Sequence, residues 1–127
     1  MQLGYVIHYV ENVDETLGFY ERAFGCTRKF LHEVGDYGEL DTGATTLAFA
    51  GIAMLQDAGK SPARADPKAP VSEIAFVTDD VAAAFAKAVE NGAGAMQEPT
   101  RMPWGQTVSF VSDMNGFLVE ICSPVGQ

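Results

Sequence analysis

The first half of this chain returns, faintly, in the second. Laying Tyr5 on Glu73 also lays Val13 on Val81 and Leu17 on Phe85, so strand, helix cap and helix stripe coincide together. The closing strands fall into step at a slightly longer spacing, with Leu47-Ala48-Phe49 on Val119-Glu120-Ile121. A second helix one residue shorter and a longer second loop account for the drift. Each half reads strand–helix–strand–strand–strand. Such a half has an apolar sheet face that it cannot cover alone, so two halves are expected to pair.

In the first half, Tyr5–Val10 has a strand pattern. Asn12 can cap a helix, with Glu15 at the reciprocal capping-box position. Val13, Leu17, Tyr20 and Phe24 recur at helical spacing, and Gly25 supplies the stop. Strands are predicted over Thr27–Val34, Glu39–Asp41 and Thr45–Ala50. From Asp57 to Pro70 three prolines and few apolar side chains mark a solvated linker. The second half begins with a strand at Ser72–Val77. Asp79 or Asp80 caps a helix striped by Val81, Phe85, Ala88 and Val89, and Gly92 ends it. After a loop containing Met102-Pro-Trp-Gly105 come Thr107–Val111 and Phe117–Cys122, joined by Asp113-Met-Asn-Gly116. Asn-Gly is a strong hairpin signal, because both residues tolerate positive φ.

Size and charge narrow the function. The 127 residues suit one domain, 47% hydrophobic and 20% charged, as in an ordinary soluble protein. No apolar run approaches the ~20 residues that span a bilayer. The start lacks a basic region, so no secretory signal is predicted. A net charge of −9 with eight Lys and Arg disfavours nucleic acid and anionic membranes as partners. Cys26 and Cys122 have no metal-ligand spacing and make no disulfide framework. They read as small buried side chains, and a cytoplasmic location is expected.

Strand parity singles out Glu120. Val119 and Ile121 share one face, whereas Leu118, Glu120 and Cys122 share the other. A carboxylate among apolar neighbours is costly to bury unless something pairs with it, although an edge strand would simply turn it to water. His8 lies opposite Tyr5, with Val6 and Val10 under the helix, and His32 reads as surface. Without a neighbouring Ser or Cys nucleophile, neither suggests a triad.

The two halves resemble the βαβββ modules of the vicinal oxygen chelate superfamily, the glyoxalase, bleomycin-resistance and dioxygenase proteins. The resemblance rests on Val10-Glu-Asn-Val13 with Leu17-Gly-Phe-Tyr20 and Phe24-Gly25, on Glu73-Ile-Ala-Phe-Val-Thr-Asp-Asp80 with Gly92, and on Phe110-Val-Ser-Asp-Met-Asn-Gly-Phe-Leu-Val-Glu120. It implies an α+β fold of two βαβββ modules forming a curved, partly open barrel-like sheet, with modules at 1–58 and 71–124 and a linker at 59–70. It also implies a cleft, a small-molecule ligand and a homodimer.

In metal-dependent members, four inward positions hold a divalent ion. Carried over, they fall on Tyr5, Ala48, Glu73 and Glu120. Ala48 can ligate nothing, Tyr5 is a reluctant ligand with a phenol pKa near ~10, and no imidazole is present. Two carboxylates suit Mg²⁺ or Mn²⁺ better than Zn²⁺ or Fe²⁺, which want more protein ligands. Glu73 and Glu120 are the candidate catalytic acid and base or metal ligands, and Tyr5, Tyr9, Ala48 and Trp104 the candidate substrate contacts. Phe49 reads as core. Two functions follow: lyase, isomerase or dioxygenase chemistry assisted by a metal, or a metal-free module that sequesters an aromatic or cationic compound.

Overall fold

The computed structural model describes residues 1–126. They divide into two compact units, Met1–Arg64 and a second that begins at Ala65. The first unit runs β1 (Tyr5–Val10), α1 (Val13–Phe24), β2 (Thr27–Leu31), β3 (Tyr37–Asp41), β4 (Thr46–Gly51) and a short α2 (Ile52–Asp57). The second runs β5 (Glu73–Val77), α3 (Val81–Glu90), β6 (Gly94–Arg101), β7 (Thr107–Ser112) and β8 (Leu118–Cys122). Each unit holds an open four-stranded mixed sheet, ordered β1-β4-β3-β2 in the first and β5-β8-β7-β6 in the second. The order is the same in both, with the first and last strands parallel at one edge. The α+β reading and the duplicated βαβββ module are therefore what the chain folds into.

Local chemistry sets the helix ends where the sequence puts them. The Asn12 side chain accepts from the Glu15 N–H at 2.9 Å, and Gly25 closes α1 at φ 69°. Asp80, not Asp79, caps α3 by accepting from the Ala83 N–H at 3.0 Å. The helices are 12 and 10 residues long, so the second is shorter by two rather than one.

Two elements carry no signal in the sequence. α2 has only six residues and follows Gly51, which offers no capping side chain, and it shows no periodicity beyond the buried pair Ile52 and Leu55. β6 is exposed at every residue except Pro99. It is a strand because β7 supplies a partner, not because its own residues alternate.

The last hairpin also differs from a tight Asn-Gly turn. Only Gly116 has positive φ, at 92°, and Asn115 does not. The Asp113 carboxylate accepts from the N–H groups of Asn115 and Phe117, at 2.8 and 2.9 Å, and so organises a longer loop.

Each helix covers one face of its own sheet. In the first unit Val10, Leu40, Leu47 and Phe49 are buried together with Val13, Leu17 and Tyr20 of α1. Tyr20 and Phe49 lie 5.0 Å apart, ring to ring. Arg28 of β2 ties the sheet to the helix through Asp14 at 2.7 Å and Glu21 at 3.2 Å. The helix approaches β3 so closely that Gly38 has no room for a side chain. A Cβ there would lie 2.7 Å from Leu17 Cδ1 and 3.2 Å from the Phe30 carbonyl. Gly38→Ala is expected to lower stability by about 1–3 kcal/mol. Gly4→Ala, where nothing lies within 4 Å, should change it by less than about 0.5 kcal/mol. Urea unfolding of the two variants beside the parent measures both.

Candidate functional site

The face that each helix leaves uncovered carries the chemistry. In the second unit, Val119 and Ile121 of β8 and Ser109 and Val111 of β7 lie in the core with Val81, Phe85 and Ala88 of α3. By alternation, Glu73, Ala75 and Val77 of β5 share the other face with Leu118, Glu120 and Cys122 and with Val108, Phe110 and Ser112. Glu73 is paired with Leu118, which places Glu120 diagonally across from it, within reach of a long side chain.

The two carboxyls meet there. Loss of solvent around its carboxyl, then a hydrogen bond with Glu120 and the negative charge of Glu120, hold Glu73 above the usual carboxylate range. Glu73 as a whole residue is exposed. Among the described residues, neither Glu73 nor Glu120 has a basic partner at ion-pair distance.

The neighbours extend this polar patch. Burial, then a hydrogen bond to Glu120 and its charge, push the Cys122 thiol up to about 11, so it is neutral at pH 7 and no nucleophile. Gln106 acts on the same thiol in the opposite direction. The Gln106 amide donates to the Ser123 carbonyl at 2.8 Å and accepts from Trp104 Nε1 at 2.9 Å. Trp104 is thereby oriented on its loop while its ring stays exposed.

In the first unit the uncovered face is aromatic. Tyr5, Ile7 and Tyr9 alternate outward along β1, all three exposed, whereas His8 is buried beside Phe49 beneath α1. Across the sheet, Tyr5 is paired with Thr46, Ile7 with Ala48 and Tyr9 with Ala50. One strand further on, Glu39 flanks Ala48 and Tyr37 flanks Ala50. The Tyr37 hydroxyl donates to Glu39 Oε2 at 2.8 Å. Burial, then this carboxylate, raise the Tyr37 phenol to about 12, so it remains a donor.

Tyr5, Tyr9 and Ala48 thus lie on the uncovered face of one sheet, Glu73 and Glu120 on that of the other, and Trp104 on the loop before β7. Phe49 is core and His32 is on the surface, as the sequence indicated. Tyr37, Glu39 and Gln106 were not singled out in the sequence. The signal for the first two was present, since residues two apart in a strand point to one side.

The sequence profile of the Glyoxalase/Bleomycin resistance protein/Dioxygenase superfamily matches residues 2–121. The chain belongs to that superfamily. Among solved structures it resembles a glyoxalase-related enzyme from Fulvimarina pelagi, at TM-score 0.83 and 17% identity over 98% of this chain and 88% of that one. It also resembles a glyoxalase/bleomycin resistance protein/dioxygenase family enzyme from Burkholderia phytofirmans PsJN, at 0.80 and 16% over 97% and 98%. A third is TioX from Micromonospora sp. ML1, at 0.73 and 20% over 97% and 98%. At these identities the likeness is one of fold. A search of curated protein sequences finds no match.

Of the divalent ions that the family resemblance implies, Zn²⁺ and Fe²⁺ do not suit the donors in this chain. Among the described residues no three His, Cys, Asp or Glu side chains gather as a metal would need. The acids that could contribute are two, and they contact one another.

A raised Glu73 has a consequence for stability. Its native state keeps a proton that the unfolded chain releases, so its contribution is fully present below the unfolded pKa and is lost as pH rises through the native one. Glu73→Gln is expected to flatten the fall in stability across that window. At pH 7 it should raise stability by less than about 1 kcal/mol, because the residue is largely exposed. Thermal melts of parent and variant between pH 4 and pH 7 make the comparison.

Proposed function

We propose that this superfamily member binds a small organic molecule and does so without a tightly held Zn²⁺ or Fe²⁺. The donor set carries the reading. Of Tyr5, Ala48, Glu73 and Glu120, only the last two bring carboxylates, and Zn²⁺ and Fe²⁺ ordinarily take three or more protein ligands including imidazole. What the uncovered faces offer instead is flat apolar area with acidic acceptors: Tyr5, Tyr9 and Tyr37 on one sheet, Phe110 with Glu73 and Glu120 on the other. Such surfaces suit an aromatic or cationic compound, and the net charge of −9 draws cations inward.

A second reading draws on the carboxyl pair. A carboxyl held above its ordinary range beside a second carboxyl is the arrangement of a general acid and base. Here it would move a proton within a bound substrate, as in a lyase or isomerase, with Glu73 as the acid and Glu120 as the base.

Calorimetric titration with Zn²⁺, on protein prepared without metal affinity resin, separates these readings from the metal-dependent one. No binding tighter than micromolar is expected. A nanomolar affinity that disappears in both Glu73→Gln and Glu120→Gln would overturn the proposal.

The same reading includes a homodimer. β1 and β5 are edge strands with exposed residues at alternate positions, and a strand edge is what a second copy protects. Sedimentation at micromolar concentration should give twice the 13.6 kDa of one chain. A species of 13.6 kDa alone would remove the dimer from the picture.

A further inference from the structure

We propose that the uncovered face of the first sheet is a binding site for a protonated organic amine bearing an aromatic ring, with Glu39 as its counter-charge. This rests on the small-molecule reading above, but it uses residues remote in sequence from Glu73 and Glu120 and assigns a ligand class to them.

The sheet register builds the site. Ala48 and Ala50 of β4 lie between taller neighbours, Ile7 and Tyr9 on the β1 side and Glu39 and Tyr37 on the β3 side. Adjacent strands are about 4.8 Å apart, so the β1 and β3 residues stand roughly 10 Å from one another across β4. The alanines are themselves buried by their surroundings, so a ligand would meet the rings above them rather than the floor. Those rings are accessible: Tyr5 is 57% exposed, Tyr9 38% and Phe30 46%. Phe30 stands beside Tyr37, with centroids 6.4 Å apart and planes inclined at 53°. Aromatic faces presented this way attract both a flat ring and a cation.

Glu39 decides which. Its side chain is only 15% exposed, yet the cation nearest to it, Lys29 Nζ, lies 3.9 Å from Oε1. That is beyond hydrogen-bond length, and the Lys29 side chain is itself 54% exposed. A buried carboxylate so loosely matched gains from a closer N–H donor. The Tyr37 hydroxyl meanwhile holds Oε2 at 2.8 Å and fixes the carboxylate's direction. A protonated amine can donate to Oε1 while its ring lies against Tyr37 and Phe30. A neutral ring of the same shape gains only the stacking.

Benzylamine and its neutral counterpart, benzyl alcohol, test this by amide-resonance titration of the full chain. Benzylamine should shift resonances of β1, β3 and β4 and bind about tenfold more weakly to Glu39→Gln, the loss expected for one charge-assisted hydrogen bond. Benzyl alcohol should be affected less than about twofold. Lys29→Ala, a change at an exposed side chain, should strengthen benzylamine binding, because it removes the competing cation. Unaltered resonances elsewhere establish that each variant is folded.

Benzylamine affinity unmoved by both substitutions would overturn the site, as would an absence of any shift in the parent. If benzylamine shifts only β5 to β8, this site fails while the small-molecule reading stands. If neither probe shifts a resonance and Zn²⁺ binds tightly through Glu73 and Glu120, that reading fails with it.

Discussion

Each unit of this protein depends on one helix covering one face of one four-stranded sheet. The first and last strands of a module run parallel, and a parallel neighbour requires a crossover. The helix α1 or α3 opens that crossover and comes to rest against a single side of the sheet. Strand alternation then sorts every residue. His8 and Val10 go beneath α1 while Tyr5, Ile7 and Tyr9 stay outside it. Val119 and Ile121 are buried while Glu120 remains on the other face. A slip of one residue in β8 would drive Glu120 into the apolar core under α3, where an unpaired carboxylate costs several kcal/mol (roughly). The placement of the acidic group and the packing of the core are the same fact.

The two modules share this frame and differ in what they display on it. Ala48 and Glu120 occupy equivalent places on the closing strands, and Tyr5 and Glu73 on the opening ones. One copy therefore shows rings around small residues, with Glu39 a strand away. The other shows two carboxylates in contact and a neutral thiol beside them. Because the backbone frame is set by the buried side, side chains on the uncovered side can change with little effect on folding. This is how one duplicated fold can hold quite different chemistry.

Electrostatics separates the two faces further. Glu73 and Glu120 face one another without a basic partner at ion-pair distance among the described residues, so their repulsion is relieved by retaining a proton. Glu39 is held instead by a neutral phenol at 2.8 Å, with Lys29 standing off at 3.9 Å. The first arrangement suits proton transfer, and the second suits recognition of an N–H donor. Neither resembles the imidazole-rich shell that a tightly bound transition metal prefers.

Much of this was written in the residues themselves. The Asn12 cap, a cap at Asp79 or Asp80, the stop at Gly25 and the repeat of Tyr5–Val10 in Ser72–Val77 are local or periodic signals, and such signals survive whatever the rest of the chain does. Parity alone placed His8 and Tyr5 on opposite sides, and Glu120 opposite Val119. Other features had no local cause. β6 exists because β7 pairs with it, and α2 because Ile52 and Leu55 find a core to enter. The loop at Asp113 follows its own carboxylate rather than the Asn-Gly pair, since that carboxylate accepts from the backbone N–H groups of Asn115 and Phe117 and leaves Asn115 out of the positive-φ region. Contact between Glu73 and Glu120, 47 residues apart in the chain, and between Ala48 and Glu39 on neighbouring strands, depends on register. Register is a property of the assembled sheet, so only the tertiary structure could decide which side chains meet.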